Sequence, residues 1–352
     1  MTVFPQIKPV EFERFIIGQN SLFVCCEGFE ERALSFVSKL DSKMFFSKSI
    51  VITYLPEKKS RLQELLPLVK KHSKLSPQII SFHRFEPQDF ENDLLLNKEA
   101  ILDGIDEIII DISVMSKLMI IILILWLSRF PGRIRIIYSE PMEYAPSVDQ
   151  FEKLKLDSTN QGWLPSHGVH DVVRTTLTSS IVMQSAPSIV IAFASFNEQL
   201  LRALLSVVNP SHFFLINGAP PHLHWREEAT QFINSALITE YPIENMLDEH
   251  GTLINKVSTL YYEETFEFLS KLYAKYCYSY RFIIAPTGSK LQALSCGLFK
   301  ICCPDVHIEY PTPESLNFTG YSSPEIRETH EIVFEKMSDV LHIASSKYNL
   351  DG

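Results

Sequence analysis

The chain has 352 residues, 46% hydrophobic and 21% charged, a balance that suits a folded protein with room for two cores of ordinary size. Its formal net charge of −10 excludes a general surface for long nucleic acid, which needs clustered Lys and Arg. The opening residues carry no secretory signal, and the most apolar run, Leu118 to Leu127, is too short to span a bilayer, so a cytoplasmic protein with no membrane partner is expected.

Residues 21–28 read as a strand and 29–40 as an amphipathic helix. Strands then come at 48–55, 78–85, 106–113 and 133–141, with helices at 57–73, around 87–101 and at 116–130. Residues 142–186 are polar and predict little regular structure. The alternation starts again with strands at 187–196, 212–221, 238–243, 280–288 and 305–313, and helices at 197–208, 224–237, 251–278 and after 289. Ser323, Pro324 and Glu325 signal the start of an amphipathic helix running to 346. Short β-branched strands alternating with helices predict an α/β fold, with a doubly wound parallel sheet covered on both faces.

The two passes match each other. Phe29-Glu30-Glu31 corresponds to Phe196-Asn197-Glu198, Lys117 to Lys290, and Tyr138 to Tyr310, at a nearly constant offset and in the same order. We therefore expect two tandem Rossmann-like domains from an internal duplication, related by a pseudo-two-fold. The expected boundaries are 1–145 and 187–320, with 146–186 as connection and 321–352 as a C-terminal amphipathic helix.

In such sheets ligands bind beyond the carboxyl ends of the strands, where the strand order reverses. Both halves place a Ser-Lys pair at that position, Ser116-Lys117 and Ser289-Lys290. The candidate ligand-binding residues are Gly28, Ser113, Ser116 and Lys117 in the first half, and Ser195, Asn197, Thr287, Gly288, Ser289 and Lys290 in the second. Pro286-Thr287-Gly288-Ser289-Lys290 combines a glycine, two hydroxyls, a helix N-terminus and a mobile positive charge, which suits a phosphate. The first copy has no glycine and sits among Glu27, Glu30, Glu31, Asp111 and Glu140, so the C-terminal turn is the expected phosphate cradle.

Neither the six cysteines (Cys25, Cys26, Cys277, Cys296, Cys302, Cys303) nor the histidine pairs His167/His170 and His222/His224 have zinc-site spacing, so no metal and no cofactor is expected. Walker A, G-x-S-x-G, H-E-x-x-H and G-x-G-x-x-G motifs are absent, and no catalytic residue is assigned.

Two Rossmann-like units with a polar T-G-x-K turn after the fourth strand resemble the CARF and SAVED families. These are nucleotide-sensing domains of prokaryotic antiviral defence, and in SAVED proteins two CARF-like units are fused. Pro286 to Lys290 looks like the family's turn, and Asp111 to Lys117 looks like its altered partner. Ser289 stands where the family usually has Gly or Thr before Lys. The resemblance implies a sensor that binds a nucleotide or cyclic oligonucleotide and signals to a separate effector protein or through a homo-oligomer. Two other classes fit the same residues. One is an enzyme acting on a nucleotide or nucleotide-sugar, with Glu27, Asp111 or Glu140 for acid–base work, including a ring-nuclease that degrades its own ligand. The other is an adaptor subunit of a defence complex, docking through its C-terminal helix.

Overall fold

A computed structural model describes residues 3–56, 59–157, 164–247, 255–318 and 320–350. The first half contributes strands β1 (Lys8–Pro9), β2 (Ser21–Cys26), β3 (Lys48–Leu55), β4 (Gln78–His83), β5 (Glu107–Asp111) and β6 (Arg133–Pro141). Its helices are α1 (Arg32–Ser35), α2 (Leu62–Lys71), α3 (Pro87–Leu96), α4 (Lys98–Leu102) and α5 (Lys117–Trp126). After α6 (Val148–Leu156) come the short strands β7 (Ser166–His167) and β8 (Asp171–Val173). The second half holds β9 (Ser188–Phe193), α7 (Gln199–Val208), β10 (His212–Ala219), α8 (Trp225–Ile233), α9 (Ser235–Glu240), β11 (Lys256–Ser258) and α10 (Tyr262–Tyr276). It continues through β12 (Arg281–Ala285), α11 (Lys290–Cys302), β13 (His307–Ile308), β14 (Tyr310–Thr312) and β15 (Ser315–Leu316), and the chain closes with β16 (Ile326–Phe334) and α12 (Met337–Tyr348).

The architecture is α/β with two Rossmann-like sheets, the second parallel and the first parallel except for the antiparallel edge strands β16 and β1. The first has the order β1-β16-β6-β5-β2-β3-β4, and the second β11-β10-β9-β12-β13. The parallel core of each places its first strand in the centre, its second and third to one side and its fourth and fifth to the other. The reversal point therefore falls between β2 and β5 in one sheet and between β9 and β12 in the other.

The two halves meet through helices α5 and α11, which pack along each other. Every residue of α5 from Leu118 to Trp126 is buried. Its isoleucines cost at most about 0.7 kcal/mol each in helix propensity, whereas burying each returns about 1.5–3 kcal/mol, so burial decides the conformation. Gly297 of α11 faces Ile121 and Ile124 of α5 at this crossing. Ser116 caps α5 by accepting from Met119 N, and Ser289 with Gln292 forms a full capping box on α11.

The chain ends interlace the halves. Phe4 packs on Tyr262 and Phe266 of α10. The expected helix over 322–346 is corrected: residues Ile326–Phe334 form β16, antiparallel to β6, and only Met337–Tyr348 is helical. The cap signal at Ser323 loses because the edge of β6 offers a row of unpaired N–H and C=O groups, and Ile332 and Phe334 alternate into the core. The expected strand at 238–243 is also corrected, since α9 occupies Ser235–Glu240 and the third strand comes at Lys256–Ser258.

Residues 29–40 hold only the short α1 and a 3-10 turn. The connection is more regular than expected, with α6 capped by a Ser147–Gln150 box and β7 and β8 paired to β15 and β14. Its 158–163 stretch, and residues 251–254 of the expected long helix, lie outside the described residues. Among the described residues, no helix is long and apolar enough to cross a membrane.

Candidate functional site

The carboxyl ends of β2, β3, β4 and β5 open onto one cavity, and Tyr310, Thr312, Pro313, Leu316, Phe318 and Tyr321 of the second half form its far wall. The residues at and just beyond each strand end line it: Gly28, Phe29 and Glu30 after β2, Tyr54, Lys59 and Ser60 at and after the end of β3, Arg84 after β4, and Val114 to Leu118 after β5. Lys290 reaches the same cavity from α11.

The two Ser-Lys pairs meet here in a reciprocal arrangement. Lys117 Nζ donates to Thr287 O at 3.0 Å, and Lys290 Nζ donates to Met115 O at 2.5 Å. Each ammonium thus crosses the seam to a carbonyl of the other half's turn. An ammonium has three donors, and each of these has one acceptor among the described residues. Burial lowers the Lys117 pKa to about 8 and the Lys290 pKa to about 7, with Arg32 adding a second downward push on Lys290.

Arg84 is the least satisfied group in the wall. It is 8% exposed, its Nη2 donates to Pro313 O at 3.1 Å, and its buried Nη1 has no partner. A buried guanidinium N–H without an acceptor is costly. The carboxylates here are already engaged. Glu27 accepts from Tyr54 N at 2.6 Å and Ser60 Oγ at 2.7 Å, and Glu30 takes a two-point ion pair from Arg32 at 2.8 and 2.9 Å. Lys59, Arg84, Lys117 and Lys290 therefore leave the cavity positive within a protein of net charge −10. Phe29, Tyr54, Phe82, Tyr310, Phe318 and Tyr321 give it an aromatic wall, with Phe29 edge-on to Phe318 at 4.8 Å and to Tyr321 at 5.4 Å.

Of the sequence-predicted residues, Gly28, Ser116, Lys117 and Lys290 line this cavity. Gly28 is required there, because a Cβ would stand 2.7 Å from Val114 Cβ. Thr287, Gly288 and Ser289 do not line it. Thr287 is 2% exposed, and its hydroxyl accepts from Phe193 N at 3.1 Å and donates to Phe193 O at 2.5 Å, tying the turn to β9. Ser289 N donates to Gln292 Oε1 at 2.7 Å, Gln292 N donates to Ser289 Oγ at 3.1 Å and Ser289 Oγ donates to Thr259 O at 2.7 Å, so the serine of the turn is engaged within its own half.

Ser113 is fully buried, donating to Asp111 and accepting from Ser139 N at 2.8 Å. Ser195 and Asn197 lie away from the cavity, where Asn197 Nδ2 holds Gly168 O at 3.1 Å and docks the connection. Asp111, whose pKa burial pushes up to about 6, and Glu140, beside His330 at 3.3 Å, do not line the cavity either.

Sequence reading missed Arg84, Tyr54, Lys59, Tyr310 and Tyr321. Arg84 carries a legible signal, a cation at the carboxyl end of a strand, but β4 is the edge strand and its loop lies away from the β2/β5 reversal point. Tyr54 positions the site: its hydroxyl accepts from Ser116 N at 2.7 Å and so fixes the β5–α5 turn.

The lysines set a pH dependence of stability. Their folded pKa values lie below the ordinary 10.5, so the unfolded chain binds more protons between the two. Stability is therefore expected to rise from about pH 7 to about pH 8.5. Above about pH 9 the buried Cys25, Cys26 and Cys296, whose pKa values burial raises, reverse the slope. Chemical-denaturant midpoints across this range check it, and a flat or falling profile between pH 7 and 8.5 would contradict the lysine burial.

No family model and no curated protein matches the chain. Among solved structures, the chain is similar to one described as a type III CRISPR defence DNA nuclease activated by cyclic oligoadenylate, with a TM-score of 0.45 and 8% sequence identity. The match covers 82% of this chain and 65% of that one. At that TM-score the likeness assigns no function, and the local chemistry of the cavity has to carry the functional reading.

Proposed function

We propose that this chain is a nucleotide-binding regulatory protein whose ligand places a phosphate between Arg84, Lys117 and Lys290, with a base against the aromatic wall. The observation that carries this reading is the convergence of Arg84 and both seam lysines on one cavity lined by aromatic rings. Positive groups interleaved with aromatic rings suit phosphates and π-faces together. The cavity volume of about 150 Å³ admits a phosphate with part of its nucleoside, so a larger ligand is gripped at one end.

A cyclic oligonucleotide is the class that the family resemblance implies. Signal output then passes to a separate effector protein in a prokaryotic defence system. Regulation is favoured over turnover because both oxygens of Glu27, the candidate acid–base group in the cavity, already accept hydrogen bonds.

The test is denaturation of the purified protein with mass spectrometry of any released nucleotide, and then titration with cyclic and linear oligonucleotides. Micromolar or tighter binding is expected, about −8 kcal/mol or better. Because a bound phosphate raises the lysine pKa values, binding takes up protons, and affinity should fall as pH rises from about 7 to about 9. Binding that is absent for all of them, or stronger at pH 9, defeats the reading. Turnover of the bound nucleotide would move the protein to the enzyme class.

A further inference from the structure

Among the described residues, two carboxylates line the cavity at the seam, Glu27 and Glu30. Glu27 is taken up by Tyr54 N and Ser60 Oγ. Glu30 shares the cavity with Lys290, and the two feel each other's charge. Burial would push the Glu30 carboxyl up, but Arg32, then Lys290 and the Ser322 hydroxyl, hold it below its ordinary value. Burial and Arg32 lower the Lys290 pKa, whereas Glu30 raises it. An enclosed carboxylate and ammonium so placed gain by pairing with each other.

Arg32 takes the carboxylate instead. It is 2% exposed and does not line the cavity. Its Nε donates to Glu30 Oε2 at 2.8 Å and its Nη2 to Glu30 Oε1 at 2.9 Å. Ser322 Oγ, next to Tyr321 of the far wall, donates to Glu30 Oε2 at 2.5 Å. Both carboxylate oxygens are thereby engaged. Lys290 Nζ is left with a carbonyl, Met115 O, and no carboxylate as its hydrogen-bond partner among the described residues.

The guanidinium is itself held in place. Its Nη1 donates to the Tyr144 hydroxyl at 3.5 Å, and its central carbon lies 5.5 Å from the Tyr144 ring centroid. The Tyr144 segment is fixed in turn from the second half, where Arg226 of α8 donates to Tyr144 O, Ala145 O and Pro146 O, each at 3.0 Å. A planar fork with a two-point grip holds a carboxylate in one orientation.

We propose that Arg32 is a specificity-determining residue of the phosphate cavity that acts through Glu30, engaging the carboxylate so that Lys290 stays unpaired and open to an anionic ligand. Arg32 touches no ligand and is a positioning residue. The inference rests on the phosphate reading above and adds the residue that lets a cavity with two acids accept an anion. Without Arg32, Glu30 pairs with Lys290 and competes with the phosphate.

The test uses the full chain, Arg32→Met, and the double variant Glu30→Gln/Arg32→Met, with adenosine monophosphate as the probe. Calorimetric titration reads binding, and unfolding midpoints confirm that each variant folds. The double variant buries neither charge, so it carries the test if Arg32→Met does not fold. The ligand-free readout is NMR titration of isotope-labelled lysine, with the Lys290 resonance assigned from its loss in Lys290→Met.

The expected result is that Arg32→Met binds the probe at least about tenfold more weakly, while the double variant returns to within about threefold of the parent. The Lys290 titration, with a midpoint of about 7 in the parent, should move up by at least about one pH unit in Arg32→Met and fall again in the double variant. A double variant that binds at least about tenfold more weakly than the parent, or a Lys290 titration that Arg32→Met leaves unchanged, would overturn the proposal and make Arg32 a structural residue. A parent that does not bind the probe counts against the phosphate reading, and the Lys290 titration then decides by itself whether Arg32 keeps Glu30 from the lysine.

Discussion

Arg84→Met should abolish nucleotide binding while leaving the protein at least as stable as the parent. The guanidinium is almost wholly enclosed, holds a single carbonyl on Pro313, and has a buried N–H with no acceptor. Methionine is comparable in length, flexible and apolar, so it can fill the space without the desolvation cost of the charge. In the folded, unliganded protein the exchange is therefore neutral or stabilising by about 1–2 kcal/mol.

The liganded state is different. A charge-assisted contact from a buried Arg to phosphate contributes a few kcal/mol, so affinity should drop by about a hundredfold or more. Calorimetric titration and thermal unfolding of the same preparation read both effects. A variant that binds within about threefold of the parent would remove Arg84 from the site. A variant that loses binding only because it unfolds would make Arg84 a structural residue.

Gly288→Ala should cost about 2–4 kcal/mol of stability, in contrast to the few tenths expected at an open binding loop. The new Cβ would overlap Gln292 Oε1 and lie 2.8 Å from Phe193 Cβ. The carboxamide of Gln292 is flexible in principle. Here it accepts from Ser289 N and donates to Ser258 O at 3.2 Å, so moving it dismantles the cap of α11. Phe193 belongs to β9 and is fully buried, so it cannot retreat. Denaturant unfolding measures the loss. An alanine variant as stable as the parent, but with weaker ligand binding, would return the Thr287–Ser289 turn to the role of phosphate cradle.

The contrast between these two substitutions shows where sequence reasoning succeeded and where it stopped. Gly288 carried a motif, and Arg84 carried none. The motif T-G-S-K records the requirements of a tight strand-to-helix turn, namely a glycine for close approach and a serine for the cap. Those are also the features of an anion cradle, so local sequence could not separate the two. The separation came from Gln292, three residues beyond the serine, which turns inward and takes the free N–H. Similarly, Asp111 among acids suggested acid–base chemistry. In the fold it is buried and used to hold the Ser113 N–H and hydroxyl.

The C-terminal segment shows the same limit at the level of secondary structure. Ser323-Pro324-Glu325 is a sound start signal for a helix, and a helix does come, but only from Met337. Between them, the exposed edge of β6 claims Ile326–Phe334 as a strand. A sheet edge some 190 residues away in sequence leaves no trace in a local pattern (His330 pairs with Tyr138, for example).

By itself, the sequence determined the α/β class, the alternation of strands and helices in both halves, and the Ser-capped helices that begin at Lys117 and Lys290. Those rest on periodicity and capping, which act over a few residues. Only the tertiary structure decided which strand ends open onto the cavity shared by Lys117 and Lys290, that Arg84, Tyr310, Pro313 and Tyr321 line that same cavity, and that the serine of the glycine-bearing turn is held by its own capping box. These are matters of which group reaches a buried donor first, and that competition is settled by residues far apart in the chain.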